Sequence, residues 1–348
     1  MTNILTFNSL KISNQYIIID IFRSNKYDSL VLLCNNSCFV KENYGIDLNS
    51  LQVKTGCTEH LLENIQVRRE VFMEHPVTWT PEFQDDIFKY QLPEIYIVRN
   101  FPHDVSEITV TIQGKECPIK IGPAELSFIH KKCLTTIQLN EVLLIESWID
   151  WHKKLGFEHF FIYDNNFDAT NYTELFQKYA GELFVYNANF PFFYSEATRA
   201  RVGQCIQQCH TLWKFSPEYL GLTDLDEYIY PVNNFRLFDP TISVLSLPNY
   251  WFGCNNRAKF NPKNFTRVLT KRKATQVFSS HRKCIVKSSE VDLPSIHIVL
   301  NYSGTYKRVT HDEGYLRHYL ILSSGKRRCD CSVFCQVTDE PMTFTSAS

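Results

Sequence analysis

From Gly122 and Pro123 onward, apolar runs suited to strands alternate with apolar residues at helical spacing, and that alternation leaves few folds open. CLTTIQL, Cys133 to Leu139, reads as a buried strand, and Asn140 stands as a helix cap ahead of EVLLIESWIDWHKKLG. In that run Leu144, Trp148, Trp151 and Leu155 share one face, while Glu146, Asp150, Lys153 and Lys154 take the other. Gly156 ends the helix in a left-handed conformation. FEHFFIYD supplies a second strand ending at Asp164, and Thr173 to Ala180 a helix stopped by Gly181. ELFVYN is a third strand, Glu196 to Phe215 a longer helix, and YLGLTD a fourth strand. Repeated strand–helix units imply a parallel sheet with right-handed crossovers, which takes ligands beyond the carboxyl ends of its strands. Asn140, Asp164 and Asp224 stand at such ends.

The first 125 residues read differently. Tyr16 to Phe22, Leu30 to Cys34, Ile95 to Val98 and Ile108 to Ile112 are short β-rich segments, with a long acidic connection from Glu74 to Glu94. The expected organisation is a β-rich N-terminal domain over 1–125, an α/β domain over 126–322 and a C-terminal tail over 323–348. Hydrophobic residues at 44% and charged residues at 21% suit a packed globule. The 36 basic and 37 acidic residues cancel, so no overall field draws the chain to nucleic acid. No secretory signal opens the sequence, and no apolar run is long enough to span a membrane. The expectation is a soluble, cytoplasmic protein without a membrane segment of its own, and the secretory lumen would require a further targeting segment. Twelve scattered cysteines are read as reduced thiols. Cys205, Cys209 and His210 are read as core, and Cys329, Cys331 and Cys335 lack the fourth ligand of a zinc site.

The sharpest local feature is LTDLDEYIYP. In an extended chain Asp224 and Asp226 project to one side and Glu227 to the other, where it braces the loop. Two adjacent carboxylates repel, and a hard divalent cation relieves that repulsion while bridging to a diphosphate and assisting its departure. A D-x-D triplet alone is weak, but this one ends a hydrophobic strand in a βα series.

The stretches NEVLLIESWIDWHKKLGFEHFFIYDNN, GQCIQQC with Trp213, TDLDEYIYP, WFG, HRKCIVK, His297 and LRHY, spanning residues 133 to 320, resemble glycosyltransferase family 92 and the related family-2-like transferases of GT-A fold. The resemblance implies a GT-A-like α/β fold: a mostly parallel sheet with flanking helices, preceded by the β-rich domain. It implies inverting, metal-dependent transfer of a hexose, galactose from UDP-galactose first, to a glycan or glycoprotein acceptor. By position, Asn140, Glu141 and Asp164 would line the nucleoside pocket, and Asp224 would approach ribose or metal. Asp226 and His318 would hold the cation, manganese ahead of magnesium, and Lys283 would meet the diphosphate. Asp312 and Glu313 are the candidate bases, and Tyr228 and Trp251 could stack on sugar rings. The competing readings are a non-catalytic glycan-binding protein on the same fold and a metal-dependent nucleotidyltransferase. The latter expects a Gly-rich phosphate loop that QLNEVLL lacks.

Overall fold

The computed structural model describes residues 4–12, 15–67, 92–123, 128–166, 168, 170–188, 202–253, 271–272, 282–319 and 337–338. The Cys329–Cys335 cluster, the end of the LRHYLILSSGK motif, residues 196–201 and the 74–91 connection lie outside them. The strands that position the site are β1 (Ile4–Leu5), β2 (Gln15–Ser24), β3 (Ser29–Cys34), β4 (Glu94–Val98), β5 (Lys132–Gln138), β6 (His159–Asp164), β7 (Leu183–Asn187) and β8 (Tyr219–Leu222). They continue with β9 (Glu227–Pro231), β10 (Val244–Leu247), β11 (Asn249–Gly253), β12 (Lys283–Lys287), β13 (Val291–Pro294), β14 (Tyr306–Arg308) and β15 (Gly314–Tyr319). The helices are α1 (Ser37–Tyr44), α2 (Val142–Lys154), α3 (Thr173–Lys178) and α4 (Val202–Phe215).

An eight-stranded mixed α/β sheet runs in the order β1-β7-β6-β5-β8-β12-β10-β14. Strands β1, β7, β6, β5 and β8 are parallel, as the strand–helix alternation requires. The other half departs from the expected parallel order, because β12 runs antiparallel to both β8 and β10. The chain moves outward from β5 to β6 and β7, then returns to place β8 on the other side of β5. The reversal between β5 and β8 is the switch point at which such sheets bind ligands. Successive residues point to opposite faces: Leu134, Phe160 and Ile162 meet α2, while Cys133, Phe161 and Tyr163 meet α4. Burial on both faces explains why β5 and β6 read as continuous apolar runs. At Gly221 the sheet closes tightly, since a Cβ there would stand 2.3 Å from Leu134 Cδ1.

One boundary differs from the sequence reading. Helix α2 begins at Val142 with Glu141 as its N-cap, and Asn140 sits one residue earlier in the left-handed region at φ 60°. Asparagine tolerates that conformation for the same reason that it caps helices: its short side chain bonds locally. Gly156 follows the helix at φ 93°, as expected.

The N-terminal β-rich part forms two antiparallel sheets. Strands β2, β3 and β4 lie in the inner one. Its face bearing Ile18, Ile21, Leu30 and Leu32 packs on the second sheet, built around Gln52–Thr55 and Glu107–Ile112. Its other face, with Ile19, Phe22, Val31 and Leu33, joins the cluster that holds Cys205, Ile206, Cys209 and Leu212 of α4. Residues on both sides of position 125 therefore share one core, and β1 pairs with β7 at the edge of the large sheet. Every residue of α4 is buried, because the helix lies between two sheets.

Burial on all sides leaves the polar residues of α4 dependent on partners inside the protein. Asp20 of β2, wholly buried, accepts from His210 Nε2 at 2.7 Å and from Lys214 Nζ at 2.9 Å through one oxygen. The other oxygen accepts the backbone N–H groups of Asn8 and Ile21. Burial pushes the Asp20 carboxyl up, but the hydrogen bond from His210 and the charges of Lys214 and His210 outweigh it and hold the pKa below the usual value. Asp20→Ala should cost about 3–5 kcal/mol, because it strips a buried ammonium of its counter-charge. Urea denaturation reads that loss directly. The Asp20 contribution should be complete above the unfolded pKa of 3.8 and fade as pH falls through the lower folded value.

Candidate active site

Pairing aligns Gln138, Asp164 and Asn187 in one row across the carboxyl ends of β5, β6 and β7. Asp164 accepts from Gln138 Nε2 at 2.6 Å, Asn166 N at 3.0 Å and Asn166 Nδ2 at 2.8 Å. Gln138 Oε1 accepts the Glu141 N–H, and Asn166 Oδ1 accepts the N–H of the exposed Asn140. The structure thus brings Asn140, Glu141 and Asp164 together, with Gln138 and Asn166 as the joints. Neither joint stood out in the sequence, since amides at strand ends look like ordinary turn residues.

Across the switch point, the chain leaves β8 and turns at once. Glu227 N donates to Asp224 O at 3.0 Å, and Asp224 N donates to Glu227 Oε2 at 3.0 Å. The two aspartates are therefore related by a turn, and not by extended alternation, with Leu225 driven into the core between them. A turn lets three acids approach one pocket of cations, where an extended chain would split them between faces. Glu227 does brace the loop, but from inside: it is 1% exposed, while Asp224 is 27% exposed and faces solvent.

Each acid has its own partners. Asp224 accepts from Lys283 Nζ at 3.0 Å and from Gln204 Nε2 at 2.6 Å. Asp226 lies 3.2 Å from His318 Nε2. Glu227 accepts from Asn249 Nδ2 at 2.9 Å and stands 3.5 Å from Lys283 Nζ and 3.6 Å from His318 Nδ1. Burial pushes the Glu227 carboxyl up, and Asp224 and Asp226 add to the shift against the pull of Lys283 and His318. Burial disfavours charge on His318, but the neighbouring Asp226, Glu227 and Asp224 carboxylates raise its pKa above the ordinary 6.5. His318 is brought here by β15, whose ladder sets it opposite Glu227 and beside Trp251 of β11.

Other expected residues go elsewhere. Asp312 and Glu313 precede β15 at its far end, where Glu313 O accepts from Val232 N. The ladder runs from Glu227↔His318 to Pro231↔Gly314, about 14 Å at strand rise. Glu313 is taken up by Lys307 at 2.7 Å and Thr310 N at 3.0 Å, and Asp312 is in solvent. Closeness in sequence to His318 misled, because a strand separates its two ends. Tyr228 is wholly buried, with its hydroxyl 2.9 Å from Ser147 Oγ, and packs in the core. Arg282, next to Lys283, bonds Ser246 and the Val309 carbonyl. Cys205 and Cys209 are buried free thiols, in keeping with a core role.

The acidic turn is held from behind by α2. Trp151 Nε1 donates to Ile229 O at 2.7 Å, and His152 Nε2 accepts from Ile229 N at 3.3 Å while its Nδ1 donates to Trp148 O. One helix thereby occupies both backbone groups of β9 just past the turn.

Carboxylates and amides at the ends of parallel strands, with a lysine and a histidine beside the acidic turn, stand at the switch point of an α/β sheet, the place where such sheets take ligands. The family model described as glycosyltransferase family 92 matches residues 132–347, and the chain belongs to that family. It is 26% identical over 181 residues to a glycosyltransferase family 92 protein of Oryza sativa subsp. japonica, covering 50% of this chain and 30% of that protein. A second family 92 protein, from Ricinus communis, is 22% identical over 203 residues, covering 55% and 35%. The matched stretches thus span about a third of those relatives' length. Among the described residues no helix is long and apolar enough to cross a membrane.

Burial drives the pKa of His152 down from 6.5 to about 3, against its hydrogen bond to Trp148, so the folded protein keeps this ring neutral. Its contribution is complete above pH 6.5 and is lost as pH falls toward about 3. His152→Leu should flatten the stability profile between pH 6.5 and about 5, above the titration of ordinary carboxylates. At neutral pH it should cost about 1–3 kcal/mol for the Ile229 N–H left without an acceptor. Urea denaturation at stepped pH checks both effects.

Proposed function

We propose that the chain is a glycosyltransferase on a GT-A-like sheet, moving a hexose from a UDP-sugar to a hydroxyl of a glycan or glycoprotein. The observation that carries the reading is the convergence of Asp224, Asp226, His318 and Lys283 at the switch point of a parallel sheet. Galactose from UDP-galactose, transferred with inversion, is the donor that the family resemblance favours.

A divalent cation suits the donor set here. Among the described residues no three His, Cys, Asp or Glu side chains form a ready metal cage. Small hard cations at phosphate sites commonly need none, being bound by one or two carboxylates, water and the phosphates themselves. Asp226 and Asp224 provide the carboxylates, and the imidazole of His318 suits manganese better than magnesium. When bound, the cation supplies Lewis-acid stabilisation of the departing diphosphate. Lys283 lies within reach of a phosphate that approaches Asp224 and contributes a fixed positive charge. Asn140, Glu141 and Asp164, joined through Gln138 and Asn166, form the floor on which the nucleoside rests. The half-buried Trp251 beside His318 is the aromatic surface for a sugar ring. The acceptor hydroxyl attacks the anomeric carbon in line, a carboxylate takes its proton as general base, and the bond from the anomeric carbon to the diphosphate oxygen breaks with its electron pair leaving on UDP. Asp312 and Glu313, the candidate bases, lie at the other end of the β9–β15 ladder from His318.

The test is transfer or hydrolysis of a panel of nucleotide sugars with manganese, with magnesium and after exhaustive chelation. Chelation should abolish turnover. Asp226→Asn keeps the shape but removes a charge beside the cation, and should lower kcat by about a hundredfold or more, beyond the ~10–100-fold cost of outer-shell changes. Asp224→Asn should act chiefly on donor KM, the mark of a lost ground-state contact. Near wild-type turnover by a folded Asp226→Asn protein overturns the reading.

A further inference from the structure

We infer that Gln204 is a positioning residue that sets the orientation of Asp224 for the donor. The inference rests on the reading of the acidic turn as the donor site and adds a residue from outside that turn. Asp224 is the most exposed of the three acids, so its own burial does not fix its rotamer. Two donors fix it from two sides: Lys283 Nζ at Oδ2 and Gln204 Nε2 at Oδ1. Lys283 also stands 3.5 Å from Glu227 and would draw Asp224 toward that shared charge if nothing held the other oxygen. Gln204 supplies the opposing pull.

Packing alone does not explain this glutamine. Gln204 is 5% exposed, and among the described residues its Oε1 has no hydrogen-bond partner. A methionine of similar length would fill the same space without burying an unsatisfied carbonyl oxygen. The place of Gln204 is in turn well determined. Gln207, with its amide turned to satisfy both ends, donates to the Gln204 backbone carbonyl at 3.2 Å and accepts from Thr135 Oγ1 and Thr136 N of β5. One turn on, Thr211 Oγ1 meets Thr135 Oγ1 at 3.0 Å and Tyr163 OH at 2.9 Å. Tyr163 OH lies 2.6 Å from His210 Nδ1, and His210 is held by Asp20. Residues 204, 207, 211 and 214 lie along one stripe of α4, so the helix cannot rotate or slide without breaking bonds to both sheets.

The experiment compares wild type with Gln204→Met. Crystals grown without nucleotide read the Asp224 rotamer, and calorimetry reads the affinity for UDP in the presence of manganese chloride. The melting temperature of the variant should hold or rise, Asp224 should leave its orientation, and the affinity for UDP should fall about tenfold, a loss of about 1.4 kcal/mol. Should the methionine variant not fold, Gln204→Leu removes the same donor from Asp224 Oδ1 with a smaller apolar side chain. An unmoved Asp224, or a UDP affinity equal to that of a binding wild type, overturns the inference. A wild type that binds no UDP while Asp224 still moves in the variant leaves the positioning role standing and refutes the donor-site reading instead.

Discussion

A carboxylate with no access to water, Asp20, determines how the rest of this protein can be arranged. It sits on the N-terminal sheet and bonds His210 and Lys214 of a helix whose every residue is buried. A buried charge without partners is strongly destabilising, so neither the sheet nor the helix can exist in this form alone. The helix lies on the central strands β5 and β6, the sheet lies on the helix, and the second antiparallel sheet covers the remaining apolar face. The β-rich beginning of the chain is therefore a wall of the same core that supports the acidic turn.

The site inherits rigidity from two helices on opposite faces of the large sheet. α2 holds both backbone groups of Ile229, immediately beyond the turn, through Trp151 and His152. α4 reaches Asp224 through Gln204. Between them, three carboxylates are balanced by one lysine and one histidine within a few ångströms. Such an arrangement keeps the acids close, with Asp224 the most exposed of the three.

The elements of the large sheet were legible because their periods are strong. CLTTIQL, FEHFFIYD, ELFVYN and YLGLTD each became a parallel strand, and the stripe Leu144, Trp148, Trp151 became the buried face of α2. At the ends of those strands Asn140, Glu141 and Asp164 are linked through Gln138 and Asn166, and Asp224, Asp226, Lys283 and His318 lie around the acidic turn. What stayed hidden depended on tertiary placement. Nothing in β2 or β3 says that a helix from beyond residue 200 covers one face, because alternation identifies a buried face and not its cover. The turn at Asp224–Glu227 was read as extended chain, since LTDLDEYIYP carries no Gly or Pro at its bend. Asp312 and Glu313 looked near His318 until the β15 strand put them at its other end. Gln204 was visible only as one of three glutamines on a helix, a polarity that becomes informative once that helix proves to be buried throughout.

In the proposed function the acidic turn holds a cation together with the diphosphate of a nucleotide sugar. Diffraction from crystals soaked with manganese chloride and UDP, recorded for the anomalous signal of manganese, addresses it without relying on turnover. The account expects one manganese peak within about 2.0–2.6 Å of an Asp226 carboxylate oxygen, with the diphosphate beside it and Asp224 and Lys283 facing the phosphates. A diphosphate or manganese peak seated away from Asp226, or no peak at saturating concentration, contradicts it.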